Sequence, residues 1–158
     1  MCSLALHGQT PVDTALTPET RNVFRSLHAL QGKGIMIGHQ DALAYGVGWK
    51  YEDGRSDIRD VTGDQPAVYG WELGRIELGW PNNLDSVPFD RMRTFIRKGY
   101  EAGGIITISW HLNNPLTGKT AWDPAEGTVS SVLPGGVREK LYDAWLDSLS
   151  AFLGSLRG

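Results

Sequence analysis

Three polar clusters carry the residue types that do chemistry: Gly38-His39-Gln40-Asp41, Trp71-Glu72-Leu73-Gly74 and Trp110-His111-Leu112-Asn113-Asn114. Each follows a short apolar run of the kind that forms a strand buried on both faces. Ligands of open α/β sheets and α/β barrels bind at the C-terminal edge of the strands, so three such clusters point to one shared site. His39 and Asp41 lie two apart, which on an extended segment puts them on one face. They are either ligand contacts, or half of a metal site, or groups that satisfy loop backbone. Glu72 ends an apolar strand, where a carboxylate is costly unless it is paired or faces a wet cleft. His111 can donate to a sugar hydroxyl or to a neighbouring carboxylate, or sit as a satisfied core histidine. Asn113 and Asn114 precede Pro115 and also suit plain turn chemistry. Trp49, Trp80 and Trp122 lie in Gly- and Pro-containing loops. They suit stacking platforms for sugar rings or plugs at the edge of the sheet, whereas Trp145 belongs to a helix stripe.

The elements that must position these groups follow from periodicity. Thr17-Pro18-Glu19 opens a helix with a Thr cap, a Pro at the first helical position and an acid in the first turn. Val23, Phe24, Leu27 and Leu30 share its apolar face, and Gly32 and Gly34 end it. A buried strand is expected over 34–38, then a long connection, 41–64, with one helical turn near Ser56 to Val61. A second buried strand is expected over 67–71 and a third over 105–110. Between them the spacing predicts a helix over 88–102 with Phe89, Met92, Phe95, Ile96 and Tyr100 on its apolar stripe. A loop over 112–136 leads to a last helix over 137–156, with Val137, Leu141, Trp145, Leu149, Phe152 and Leu156 on one face.

Apolar strands alternating with amphipathic helices mean parallel strands joined by crossovers. The pattern is one helix followed by three strand–helix units, in a tail over 1–16 and a single structural unit over 17–158. It fits a small open α/β sheet or the front part of a barrel, whose eight units need about 250 residues. A fourth strand is expected where the sequence stops.

Composition narrows the classes of function. With 158 residues and a net charge of −3, the chain carries no basic field for nucleic acid or an anionic membrane. Hydrophobic residues at 41% and charged residues at 21% fit a globular chain. No apolar run approaches the roughly 20 residues of a membrane-spanning helix. Cys2 is the one cysteine, which rules out an internal disulfide framework and a multi-cysteine zinc site. Residues 1–16 lack the basic start and apolar stretch of a secretory signal; Cys2 reads as a free cysteine in a tail or as the remnant of a lipid-anchored N-terminus. There is no Gly-x-Ser-x-Gly elbow, phosphate-cradling loop or dinucleotide fingerprint, and Gly46-Val47-Gly48 lacks the strand–helix context of one.

Gly38-His39-Gln40-Asp41, Tyr45-Gly46-Val47-Gly48-Trp49, Pro66-Ala67-Val68-Tyr69-Gly70-Trp71-Glu72-Leu73-Gly74 and Ile108-Ser109-Trp110-His111-Leu112-Asn113-Asn114-Pro115 occur in this order. Together they resemble the N-terminal part of glycoside hydrolase family 26, the β-mannanases, especially of the gut-Bacteroidetes type. The likeness runs from about Thr17 to Gly158. It implies an α/β fold of the (β/α)8 TIM-barrel kind, present here as about its first three β/α units. It also implies retaining cleavage of internal β-1,4-mannosidic bonds of mannan, glucomannan or galactomannan. The family uses an acid/base glutamate after strand four, in a His-Glu pair, and a nucleophilic glutamate after strand seven, with carboxylates about 5–5.5 Å apart. On this likeness both glutamates lie downstream of Gly158, and the isolated chain is expected to be inactive.

What the resemblance carries onto this chain is sugar binding. His111 matches the family's strand-three histidine near the cleavage subsite, and Trp122 matches a stacking tryptophan of the next loop. His39, Asp41, Glu72, Trp110 and Asn113 fall in family motifs and complete the expected substrate contacts; no metal and no cofactor is implied. The expected partners are β-mannan or manno-oligosaccharides and the remaining C-terminal portion of the barrel, with neither nucleic acid nor a membrane-spanning segment. The family suggests a secreted, periplasmic or lipid-anchored surface location. Two other readings stay open: a non-catalytic mannan-binding remnant using His111 and the loop tryptophans, and a metal-dependent hydrolase using His39, Asp41, Glu72 and His111.

Overall fold

The computed structural model describes residues 10–156; Cys2 and the rest of 1–9 lie outside the described residues. The chain divides into two compact units, Met1–Ile35 and Met36–Gly158. The tail boundary read at residues 16–17 lies within the first of them. That unit holds helix α1 (Pro18–Leu30), whose Thr17 hydroxyl accepts the Thr20 N–H at 3.2 Å while Pro18 fills the first turn. Val23, Leu27 and Leu30 on its apolar face are exposed.

The second unit runs β1 (Gly38–Gln40), a hairpin of β2 (Tyr45–Gly46) and β3 (Trp49–Lys50), α2 (Asp57–Thr62) and β4 (Val68–Glu72). A 3-10 turn at Ile76–Leu78 follows, then α3 (Phe89–Glu101), β5 (Ile105–Ser109), α4 (Thr128–Val132) and α5 (Glu139–Gly154). Strands β1, β4 and β5 form one parallel sheet in that order, with Gly38 opposite Val68 and Val68 opposite Ile105. All three therefore end at the same edge of the sheet, at Gln40, Glu72 and Ser109.

Alternation along β4 separates the core from the site. Tyr69 and Trp71 face α3 and are buried with Met92 and Ile96, and Trp71 stacks on Phe95 at 5.9 Å with 9° between the rings. A Cβ on Gly104 would overlap the Tyr69 ring, so the strand β5 can follow α3 this closely only with glycine there. Helix α5 closes the core through Phe152, which meets Phe89 edge-on at 5.9 Å.

Some elements differ from the sequence reading. The first strand forms at Gly38–Gln40, not over 34–38, and Ile35 and Ile37 are 95% and 56% exposed. Among the described residues β1 pairs with β4 on one side only. Tyr100, Val137 and Leu141 are exposed as well: Tyr100 sits in the last turn of α3, and Val137 precedes α5. The hairpin, the 3-10 turn and α4 are elements that periodicity over longer windows does not reveal. Phe152→Ala is expected to lower the unfolding free energy by about 3–5 kcal/mol, the usual loss for a buried aromatic. A urea titration checks this, and a loss below about 1 kcal/mol would mean that α5 is not part of the cooperative core.

Candidate functional site

An open cleft of about 390 Å³ lies at the C-terminal edge of the sheet. Its floor is Gln40 from β1, Glu72 from β4 and Ser109 from β5. The strand register brings these three to one face, with Gln40 paired to Gly70 and Glu72 paired to Ser109. A Cβ at Gly70 would meet the Gln40 side-chain oxygen, so a larger residue here would make Gln40 shift. His111 and Asn113 form one wall, and Leu84, Asp85, Thr120, Ala121 and Trp122 come from the loops above.

Glu72 is 4% exposed. Its Oε1 accepts the N–H groups of Gly74 at 2.6 Å and His111 at 2.7 Å. Its Oε2 accepts the Ser109 hydroxyl at 2.5 Å and lies 2.6 Å from His111 Nδ1. Burial pushes this carboxyl up, but the His111 N–H, the Ser109 hydroxyl, the His111 ring and the Gly74 N–H together outweigh it and hold the group below its ordinary value. The His111 side chain stays half exposed. Its ring centroid lies 6.1 Å from that of Trp122, tilted by 31°, and Trp122 is 84% exposed. An open aromatic face beside an oriented imidazole suits a ligand with apolar C–H faces and a rim of hydroxyls.

Asp41 stands behind the cleft. It is fully buried, adopts φ 53°, and gives its N–H to Gly70 O at 2.9 Å. One carboxyl oxygen accepts the Tyr45 hydroxyl at 3.3 Å, and Oδ1 has no partner among the described residues. Burial first, then the neighbouring Asp85 carboxylate, push its pKa from 3.8 to about 7, with the Tyr45 bond pulling the other way. Burial and the charge of Asp41 push Tyr45 up to about 12.

The remaining expected contacts are placed elsewhere. His39 lies opposite Tyr69, on the face of β1 away from Gln40, and its Nδ1 is buried without a partner among the described residues. His39 and Asp41 therefore do not share a face as expected, because the left-handed backbone at Asp41 ends the alternation. Trp110 does not line the cleft; its indole N–H donates to Glu77 at 3.0 Å and its ring stacks on Tyr142. Asn113 does line it, with its N–H on Glu77 Oε1 at 2.9 Å. Trp49 is only 6% exposed and locks the hairpin through Asp57, so it offers no stacking surface. Trp80 is exposed but lies under the Arg75 guanidinium. Among the described residues no three His, Cys, Asp or Glu side chains are grouped to hold a metal. Of the four residues His39, Asp41, Glu72 and His111, the described structure brings only Glu72 and His111 into hydrogen-bond contact.

Gln40, Ser109, Asp85 and Glu77 are residues that the sequence reading did not single out. Two-residue alternation from Gln40 and strand pairing across Glu72 were signals for the first two. Buried Glu77, which braces the 110–113 segment, follows only from tertiary contact.

Residues 12–149 match the family model of Glycosyl hydrolase family 26. The chain belongs to that family. It is similar to the GH26 β-mannanase BoMan26A of Bacteroides ovatus, with 43% identity and a TM-score of 0.85 over 90% of this chain and 42% of that one. An endo-β-1,4-mannanase of Cellulomonas fimi is 34% identical with a TM-score of 0.76, over 89% of this chain and 32% of that one. The mannan endo-1,4-β-mannosidase of Bifidobacterium adolescentis is 30% identical over 88% of this chain and 14% of its own length. The chain thus spans less than half the length of these relatives. Within family 26, its three parallel β/α units are part of a (β/α)8 barrel, and the cleft sits at the edge where such barrels bind ligands.

The two buried carboxyls make opposite contributions to stability. Asp41 holds its proton more tightly when folded, so its contribution is full below pH 3.8 and is lost as pH rises toward about 7. Glu72, held low, contributes above its ordinary 4.5 and loses that as pH falls. Asp41→Asn keeps the shape, tolerates the left-handed backbone and does not titrate. Melts between about pH 4 and 7.5 are expected to show the parent losing stability relative to this variant as pH rises. Parallel profiles would mean that folding does not raise the Asp41 pKa.

Proposed function

We propose that the chain forms the sugar-binding part of a retaining endo-β-1,4-mannanase acting on mannan, glucomannan or galactomannan. The observation that carries this reading is His111, held by Glu72, beside the exposed ring of Trp122 at the strand ends of a family 26 chain. The names of the relatives support mannan as the polymer. A β-linked mannose unit presents C–H groups to the Trp122 face and hydroxyls to His111, Asn113, Gln40 and Asp85.

Retaining hydrolysis needs one carboxyl to protonate the leaving oxygen and a second to attack the anomeric carbon. Glu72 suits neither role, because a carboxylate offers about four acceptor sites and four donors already occupy them. We assign the acid/base and the nucleophile to the part of the relatives' length that this chain does not cover. The open edges of β1 and β5 are then the surfaces that pair with that part, and alone they favour association.

Calorimetry with mannohexaose tests the reading. Binding is expected, and Trp122→Ala is expected to weaken it on the order of tenfold, the scale of losing one aromatic anchor. No detectable binding by the folded chain overturns the assignment of the cleft. In the same preparation, mannan should release no reducing ends; clear hydrolysis by the pure monomer would show that the catalytic carboxylates lie within these residues.

A further inference from the structure

The contacts of Glu72 determine more than its own charge. Two of its four donors are backbone N–H groups, from Gly74 and His111, and their polarity cannot be reversed. The third is the Ser109 hydroxyl, which can turn. The fourth is the His111 ring, whose Nδ1 lies 2.6 Å from Oε2. An ionised carboxylate only accepts, so at this distance the hydrogen must reside on Nδ1. The other ring nitrogen, Nε2, makes no hydrogen bond among the described residues, and the ring borders the cleft.

We propose that Glu72 is the positioning residue of the cleft, fixing His111 as the Nδ1–H tautomer so that Nε2 receives a hydrogen bond from a ligand hydroxyl. The ligand part of this assignment rests on the manno-oligosaccharide reading of the cleft; the tautomer does not. A carboxylate that served only the fold would need its two backbone bonds and would be indifferent to the ring. Here the side chain reaches both the turn at Gly74 and the imidazole, and the hydrogen-bonding sense of the cleft wall is set from beneath.

The discriminating substitution is Glu72→Gln. Its amide oxygen remains with the two backbone N–H groups, which turns its NH2 toward Ser109 and His111. Ser109 can rotate to accept, but the ring can accept at Nδ1 only by moving its hydrogen to Nε2. Two-bond 1H–15N spectra of the labelled chain, with His111 assigned by its loss in His111→Phe, read the tautomer of the neutral ring directly. The parent is expected to show Nδ1–H, and Glu72→Gln to show Nε2–H with mannohexaose affinity reduced roughly tenfold, because an acceptor has become a donor.

An Nε2–H tautomer in the parent overturns the proposal, and that measurement requires no variant to fold. Nδ1–H retained in a folded Glu72→Gln overturns it equally. Ser109→Ala removes one donor and leaves the other three, so it is expected to keep Nδ1–H; inversion there would assign the control to Ser109 instead. Unchanged affinity in a tautomer-inverted variant removes Nε2 from ligand binding. Absence of mannohexaose binding by the parent counts against the cleft reading alone and leaves the tautomer result standing.

Discussion

A carboxylate excluded from water is tolerable only when every acceptor site is filled, and meeting that condition at Glu72 organises the upper edge of the sheet. The Gly74 N–H requires a tight turn immediately after β4, and the Ser109 hydroxyl requires that β5 end in register with Glu72. The His111 N–H and ring require the chain after β5 to fold back over the same carboxylate. The backbone of Glu72 is tied in as well: its carbonyl accepts the Asn83 side-chain amide at 3.0 Å. Asn83 Oδ1 in turn accepts the N–H groups of Asp85 and Val87, which holds Asp85 at the rim of the cleft. One buried charge thus couples a turn, a strand register and two loops.

Asp41 shows what the same residue chemistry becomes without those donors. Both carboxyls are buried within a short stretch of the same edge, yet one is held ionised and the other near neutrality. The difference is not depth but partners: four donors surround Glu72, whereas Asp41 has a single long bond from Tyr45 and a carboxylate, Asp85, nearby. The outcome is a division of labour. The ionised group orients an imidazole, and the group with the raised pKa leaves an oxygen unpaired, which costs less in its protonated form than as a charge.

Much of this site was legible as position and little of it as direction. Apolar runs followed by polar residues located the strand ends, and with them Glu72 and His111. The stripe through Phe89, Met92 and Ile96 located α3, because burial on one helical face leaves a periodic trace. Which way a side chain points past a strand end leaves no such trace. An extended backbone would put His39 and Asp41 on one face; φ 53° at Asp41 is a tertiary accommodation, stabilised by its bond to Gly70. Trp49 sits in a glycine-rich hairpin like a stacking residue, but Asp57, eight residues on, captures its indole at 2.6 Å. Glu77 reads as an ordinary surface acid until Trp110 and the Asn113 backbone are seen to converge on it.

The sheet itself explains why the site is best formed at its centre. Among the described strands only β4 has a neighbour on both sides, and only β4 buries consecutive residues on both faces, Trp71 toward α3 and Glu72 toward the cleft. The edge strands carry the mismatch: Ile35 and Ile37 beside β1 and Ile108 on β5 are apolar yet exposed. Glu72 does not depend on those edge residues, because all four of its donors come from the central strand's own turn and from β5 and the segment just beyond it. The orientation of His111 is therefore a property of three pieces of chain: the turn after β4, the end of β5 and the segment just beyond it.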